Sequence, residues 1–229
     1  MRPPRILELS EWSTPASAYP VARVRGARVA RTTYRRGMYP MYGVAGYDYY
    51  LLKKPIKVTV LQRLHRRAWG TWMVDDPPHW YAMQRYAERS KGRVAVAGLG
   101  LGLVTHALLR NRDVTRIDVY EIDPDVIELV GPKFDLKLRG LPHLRIERAD
   151  AGVELADPKG PLYERIILDL WVASGKEEVE RVLWSEAIPF TRAVRLAHPE
   201  SSIVVHGFGG VPEQLADIVA RTMQGLKLP

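Results

Sequence analysis

The sequence predicts an α/β protein with a doubly wound, mainly parallel sheet and helices on both of its faces, preceded by a small β-rich module. From Arg93 onwards, short apolar runs alternate with amphipathic stretches, which is typical of parallel strands joined by helices. Residues 1–76 are instead rich in Arg, Tyr and β-branched residues and are interrupted by Gly and Pro. We therefore expect a β-rich N-terminal module over residues 1–76 and an α/β domain over residues 77–229.

In the N-terminal module the clearest strand covers residues 56–60, where apolar and polar residues alternate as in a half-buried strand. Residues 67–74 are the expected hairpin partner of that strand. Pro77 and Pro78 then open a helix that should run to Ser90, since Pro costs nothing in the first turn of a helix. The first 50 residues give no clear pattern.

The α/β domain is predicted from its alternating elements. Asp123 and Pro124 supply a helix N-cap followed by Pro at the first helical position. The helix predicted over residues 176–197 is interrupted or restarted at Pro189. The expected strands are residues 94–97, 116–121, 144–148, 164–170 and 202–206, and the other expected helices are residues 103–110 and 212–224.

Composition excludes several classes of function. The chain has 229 residues, 46% of them apolar, which is enough for a substantial core. The absence of cysteine excludes disulfides, thiolate metal sites and a cysteine nucleophile, and it favours a reducing, cytoplasmic location. The longest apolar run is too short to span a membrane, and no signal peptide is expected at the N-terminus.

Charge is distributed unevenly. Residues 1–91 hold 17 basic and 6 acidic side chains, whereas the rest of the chain holds 17 and 20. A basic face could attract an anionic partner such as nucleic acid. However, Arg outnumbers Lys 25 to 9 and is scattered along the chain, so an arginine-rich composition explains the excess more simply. A nucleic-acid partner is therefore not the favoured prediction.

A glycine-rich segment, Ala-Gly-Leu-Gly-Leu-Gly-Leu, lies between the first predicted strand and the first helix of the domain, at residues 97–103. Ligands of open α/β sheets bind at the carboxyl ends of the strands, where glycine lets a ligand approach the backbone closely. A dinucleotide-binding turn needs a third small residue at position 103, which is Leu103 here. The spacing therefore argues against NAD, while a tight turn needed only for packing remains the alternative.

This segment and the motif Val-Tyr-Glu-Ile-Asp-Pro at residues 119–124 resemble the first two motifs of class I S-adenosylmethionine-dependent methyltransferases. The second motif is most similar in sequence to that of the spermidine-synthase-like branch, which shares the following Val-Ile-Glu at residues 126–128. The resemblance covers about residues 65–208. It implies a Rossmann-like fold and S-adenosylmethionine as the cofactor. It leaves the acceptor undetermined.

The resemblance also implies roles for individual residues. Glu121 would hold the ribose hydroxyls and Ile122 would pack on the adenine, while Asp123 is expected to cap its helix. Asp150 would meet the adenine amino group, although capping the next helix explains it equally well. The implied cofactor-binding residues are Gly98, Gly100, Leu101, Gly102, Glu121, Ile122, Asp150, Ala151 and Asp169.

Catalysis is expected from Asp169 and Trp171, which follow the fourth strand. Asp169 could act as a general base or orient the acceptor. Trp171 could face the sulfonium or the substrate, and a role in the core is nearly as plausible. His79 is expected to be a helix-start residue, and the other histidines show no metal-binding spacing, so no metal is predicted.

Two alternatives remain. Aminopropyl transfer is disfavoured, because Leu101 and Val172 stand where spermidine synthases carry acids that hold the donor amine and the polyamine. The other alternative is a non-catalytic cofactor-binding module that touches nucleic acid through Arg23, Arg25, Arg28, Arg31, Arg35 and Arg36.

The C-terminal region departs from the pattern of class I enzymes, which usually end with an antiparallel strand pair. Only 23 residues follow His206, and they include the predicted helix. The sheet is therefore shortened, or the N-terminal strands complete it, and either arrangement could create the surface of a homodimer.

Overall fold

The computed structural model describes residues 3–41, 46–134, 143–171 and 176–207. The chain forms two compact units, which combine non-contiguous segments. The first comprises the described residues of 1–89, 99–111 and 123–141, and the second those of 90–98, 112–122 and 142–229. The domain boundary predicted after residue 76 stays a prediction.

The first unit contains two small sheets. A three-stranded sheet has the order β1-β5-β4, and a four-stranded antiparallel sheet has the order β2-β3-β6-β7. The strands of the first unit are β1 (Ile6–Leu9), β2 (Ala22–Arg23), β3 (Ala27–Tyr34), β4 (Gly37–Pro40), β5 (Tyr49–Leu52), β6 (Ile56–His65) and β7 (Ala68–Val74).

The hairpin predicted in this region is observed. β6 begins where the alternating pattern predicted it, but it extends to His65, and β7 pairs with it in antiparallel fashion. A bulge between Leu61 and Gln62 shifts the register, so that Met73 lies opposite Leu61. The bulge fixes which face of the sheet Met73 occupies.

Three helices complete the first unit: α1 (Pro77–Glu88), α2 (Leu103–Leu108) and α3 (Pro124–Val130). The carboxylate of Asp76 accepts the His79 N–H at 3.2 Å and caps α1, so His79 starts a helix as predicted. Asp123 caps α3 by accepting from Asp125 N–H at 2.8 Å, which confirms the predicted cap. Both α1 and α2 end two residues earlier than the sequence predicts.

The second unit is built on a five-stranded sheet whose strands are all parallel, in the order β10-β9-β8-β11-β12. The predicted α/β class, with a parallel sheet and separate β-rich strands, is therefore confirmed. These strands are β8 (Gly92–Ala97), β9 (Val114–Glu121), β10 (His143–Arg148), β11 (Arg165–Leu168) and β12 (Ser202–Val205).

The helices of the second unit are α4 (Ala151–Glu154), α5 (Lys176–Val182) and α6 (Ile188–Ala197). A π-helical turn, Leu183–Ala187, joins α5 to α6, so the break predicted at Pro189 occurs just before it. Pro189 itself lies in the first turn of α6, where its missing N–H is tolerated.

Two inner strands of this sheet, β8 and β11, have apolar centres. In β8 residues 94–97 are fully buried, and in β11 Ile166, Ile167 and Leu168 are fully buried as well. Strands that are buried on both faces read as continuous apolar runs rather than alternating ones. The polar side chains of β8 and β11 are therefore confined to the strand ends, whereas β9 carries the buried Asp118, which pairs with Arg93 and Arg116.

Some predictions lie outside the described residues, among them the helix over residues 212–224, the end of the sheet beyond residue 207, and Val172. Within the described part of the chain, no helix combines the length and the apolar character that crossing a membrane requires.

Candidate cofactor site

Gly98 turns the chain directly after β8. Its φ is +91°, and a Cβ placed on it would lie 2.5 Å from the backbone oxygen of Asp169 on the neighbouring strand. The Gly98 N–H donates to the Tyr120 carbonyl oxygen at 2.8 Å. Position 98 therefore requires glycine for both its conformation and its space.

The ends of three adjacent strands, β9, β8 and β11, bring the candidate residues into one row in the second unit. Ala97 pairs with Tyr120 on one side and with Leu168 on the other, so the next residues, Gly98, Glu121 and Asp169, lie side by side. The ladder continues past the strands, because Asp169 N–H donates to the Ala97 carbonyl at 3.0 Å. This row is the carboxyl edge of the sheet, where open α/β sheets bind ligands.

Glu121 and Ile122 are neighbours that differ sharply in exposure. Glu121 is 8% exposed at the end of β9, whereas the neighbouring Ile122 is 64% exposed. A buried carboxylate at a strand end suits a ligand that offers hydroxyl donors. An exposed isoleucine is available to pack against a flat ring. Their assignment to ribose and adenine stays a prediction.

Asp150 shows the structural role that the sequence left open. It caps α4, and its carboxylate accepts the Gly152 N–H at 2.7 Å. The side chain is exposed, and the adjacent Ala151 is buried in the core of the unit. Capping accounts for Asp150 without a ligand, so its contact with adenine stays a prediction.

Asp169 has a histidine as a neighbour that the sequence analysis did not assign. Leu168 pairs with Val205, so His206 follows β12 at the position that Asp169 occupies after β11. A carboxylate oxygen of Asp169 and a ring nitrogen of His206 lie within 4.8 Å of each other, and both side chains are half-buried. The signal that could have found His206 is its place directly after the fifth strand.

Trp171 packs against protein. Its ring meets Phe190 edge to face with centroids 5.7 Å apart, at the margin of the core formed by β11, β12 and α6. This packing is the core role that the sequence allowed. A catalytic role for Trp171 stays a prediction.

The remaining glycines belong to the first unit and face side chains. A Cβ on Gly100 would lie 2.5 Å from the Met73 sulfur, and one on Gly102 would collide with the Phe134 ring. The Leu101 N–H donates to Met73 Sδ at 3.0 Å, and the Leu101 side chain is fully buried. The packing alternative is therefore realised at positions 100 and 102, and a ligand contact at Leu101 N–H would have to replace Met73.

Comparison with known proteins finds distant similarity to solved structures only. No protein-family model and no curated protein matches the sequence. Among solved structures, precorrin-8W decarboxylase of Methanobacterium thermoautotrophicum is 20% identical, with a TM-score of 0.43 over 64% of this chain and 71% of that chain. A spermidine synthase in complex with the transition-state analogue AdoDATO is 15% identical, with a TM-score of 0.44 over 74% and 59%. Human methyltransferase-like protein 13 in complex with SAH is 21% identical, with a TM-score of 0.39 over 64% and 69%.

The chain has a Rossmann-like α/β fold. Its five parallel strands, with the first of them in the centre and a glycine turn after it, carry this statement. The level of identity says nothing about the substrate.

A hydrogen-bonded cluster holds the far end of the glycine turn in the first unit. The Tyr19 hydroxyl donates to the Leu101 carbonyl at 3.1 Å, so its oxygen accepts from His106 Nε2–H, 2.7 Å away. His106 also packs on Phe134, with ring centroids 4.4 Å apart. Burial, together with the nearby Arg110, lowers the pKa of His106 to about 4. The imidazole of His106 is therefore neutral in the folded protein near neutral pH.

Because His106 is neutral in the folded protein, we expect the free energy of unfolding to fall as the pH drops from about 6.5 to about 4. Over that range the unfolded chain protonates His106 while the folded protein does not, so the unfolded state gains protons and is favoured. We expect His106 to contribute about 2 kcal/mol to this loss. Urea unfolding at pH 7.5, 6 and 4.5 would measure it.

The variant His106→Gln should lose that part of the pH dependence. The matched control is His65→Gln, which changes an exposed histidine at the end of β6 and should leave the dependence unchanged. Equal slopes for His106→Gln and the parent protein would show that folding does not lower the pKa of His106.

Proposed function

We propose that this chain binds S-adenosylmethionine at the carboxyl edge of its parallel sheet and transfers the sulfonium methyl to an acceptor that remains to be identified. The observation that carries the proposal is the row of Gly98, Glu121 and Asp169, set by strand register. The turn at Gly98 has no side chain and leaves room for the cofactor. The buried Glu121 carboxylate would accept hydrogen bonds from its ribose, and the half-buried Asp169 carboxylate would lie beside its methyl.

Glu121 supplies the main polar anchor in this proposal. A carboxylate accepts hydrogen bonds from two hydroxyls at once, and each charged hydrogen bond contributes about 1.5–3 kcal/mol. Ile122, exposed next to Glu121, provides an apolar surface for the adenine. These groups fit an adenosine moiety.

Methyl transfer asks little chemistry of the protein beyond this. The sulfonium group supplies an activated methyl, so the chain has to align the acceptor and exclude water. The acceptor lone pair attacks the methyl carbon, the carbon–sulfur bond breaks, and sulfur keeps the electron pair. Asp169 orients the acceptor or takes its proton, and His206 beside it could pass that proton on.

Aminopropyl transfer is less favoured. In spermidine synthases an acid in the glycine turn holds the donor amine, whereas Leu101 here is fully buried and offers no carboxylate. The excess of basic side chains in residues 1–91 would also repel a polyamine. A non-catalytic binding module remains the other candidate.

Calorimetric titration with S-adenosylmethionine, its decarboxylated analogue and NAD would test these alternatives. We expect binding of the first and weak or no binding of the other two. A preference for the decarboxylated analogue would favour aminopropyl transfer, and absence of any binding would refute the proposal. Release of S-adenosylhomocysteine in a mixture of candidate acceptors would then separate an enzyme from a binding module.

Replacing Glu121 with alanine should weaken S-adenosylmethionine binding by about 2 kcal/mol, a factor of roughly 30, because the ribose hydroxyls lose a charged acceptor. The measurement is the dissociation constant by calorimetry, with a thermal melt to show that the variant is folded. Glu200→Ala removes an exposed carboxylate from the same unit and serves as the control. A folded Glu121→Ala protein with unchanged affinity would mean that Glu121 does not touch the cofactor.

A further inference from the structure

The turn between β6 and β7 places two arginines in an unfavourable conformation. Arg66 and Arg67 have φ values of +44° and +71°, the left-handed region that favours glycine. Two-residue hairpin turns with two positive φ angles strongly prefer Asn-Gly. A turn that keeps arginine at both positions gives up stability, and such strain is concentrated at functional positions.

The strand next to this turn carries an aromatic ring covered by two further arginines. Trp69 lies opposite Leu64 on the hairpin, and the Arg23 and Arg28 guanidinium carbons lie 5.0 and 4.4 Å from its ring centroid. Gln62 fixes one of them, because Arg28 Nε donates to Gln62 Oε1 at 2.7 Å. The strand pairing places these groups on one face of the four-stranded sheet.

These four arginines differ from their neighbours in having no acidic partner. Arg25 pairs with Asp125 and Glu128, and Arg63 pairs with Asp123, all at the start of α3. Within the residues that the structure describes, no ion pair is formed by Arg23, Arg28, Arg66 or Arg67. The charge of these four side chains is therefore available to a ligand.

Exposed apolar groups accompany the charge. On the hairpin, Trp72 is 47% exposed on the edge strand β7, and Leu64 is 39% exposed on β6. Proteins that bind single-stranded nucleic acids combine cations, which contact the phosphates, with flat aromatic and guanidinium surfaces, on which the bases stack. A purely electrostatic surface would not need the tryptophans.

We propose that this face of the first unit and the turn beside it, defined by Arg23, Arg28, Arg66, Arg67 and Trp69, bind single-stranded nucleic acid. The arginines that looked scattered in the sequence are brought together by the register of β2, β3, β6 and β7. The four arginines neutralise phosphates, and bases stack on the Arg28 guanidinium plane that lies over Trp69. The proposal stands independently of methyl transfer.

Binding of a fluorescein-labelled single-stranded RNA 12-mer to the full chain tests this, measured by anisotropy between 50 and 200 mM salt. The decisive variant replaces Arg66 and Arg67 with the preferred Asn-Gly. We expect about tenfold weaker binding and a salt slope reduced by about 1.4, together with a higher melting temperature, since the strained turn is relieved. Opposite shifts in binding and stability distinguish a lost contact from a damaged fold.

The matched control is Arg35→Gln with Arg36→Gln, which removes the same charge from another exposed Arg-Arg pair. That pair follows β3, at the far end of the sheet from Arg28. We expect it to bind the RNA within about twofold of the parent protein, and Trp69→Leu to bind about tenfold more weakly. Equal losses of RNA affinity for the two double variants would mean that only overall charge matters, and this would overturn the proposal. Tighter binding of a duplex of the same sequence, or of heparin, than of the single strand would overturn it as well.

Discussion

Replacing Asp169 with asparagine is expected to lower methyl transfer by at least about a hundredfold while S-adenosylmethionine affinity changes by less than about threefold. General acid–base groups contribute roughly 10²–10⁴ to rate, and an amide of the same shape cannot take a proton. The carboxylate lies at the end of β11, and its backbone is fixed by the hydrogen bond from its N–H to Ala97. The substitution should therefore leave the edge of the sheet intact.

The measurement is kcat and KM with the acceptor identified by the product screen, together with calorimetry for the cofactor. Asp157→Asn is the control, because Asp157 is an exposed carboxylate in the same unit. If Asp169→Asn turned over normally, the proton would have to leave by another group, and His206→Gln would be the next variant to examine. If it instead lost cofactor affinity, Asp169 would be a binding residue.

Replacing Gly98 with alanine is expected to destabilise the fold by about 3–5 kcal/mol. Two penalties combine: alanine is strained at a φ of +91°, and its Cβ would lie 2.5 Å from a backbone oxygen, which cannot rotate away as a side chain could. Such a loss is a large part of the stability of an ordinary domain. The variant should accumulate as insoluble protein or melt well below the parent.

Gly70→Ala provides the comparison for this variant. Gly70 lies in β7 with negative φ, and nothing lies within 4 Å of an added Cβ. Its substitution should change the free energy of unfolding by less than about 0.5 kcal/mol. Similar melting temperatures for the two variants would mean that the chain around Gly98 can shift to accept a side chain.

The parallel sheet could be predicted from the sequence because its signals are local. A strand buried on both faces must be apolar along its length, as in residues 94–97, and a turn after it must be glycine where the backbone bends. Asp123 and Pro124 likewise announce a helix start by themselves. Each of these features needs no information from elsewhere in the chain.

Other features depend on residues far apart in sequence and could not be predicted. β1 pairs with β5, joining Ile6 to Tyr49, and both strands are too short and too partly exposed to show a clear period. His206 becomes a neighbour of Asp169 only through the pairing of β11 with β12. The contact of Met73 with Leu101 likewise requires the bulge in the hairpin.

That last contact has a chemical consequence. A thioether sulfur is a poor hydrogen-bond acceptor, so Met73 is a weak partner for the Leu101 N–H. A carboxylate oxygen would accept a stronger hydrogen bond from that N–H and would displace Met73. Oxidation of Met73 to the sulfoxide would make it a much stronger partner for the Leu101 N–H, since the sulfoxide oxygen is a far better acceptor than the thioether sulfur. In protein aged in air the Leu101 amide hydrogen should then exchange with solvent more slowly, and a reductase specific for methionine sulfoxide should restore the faster exchange.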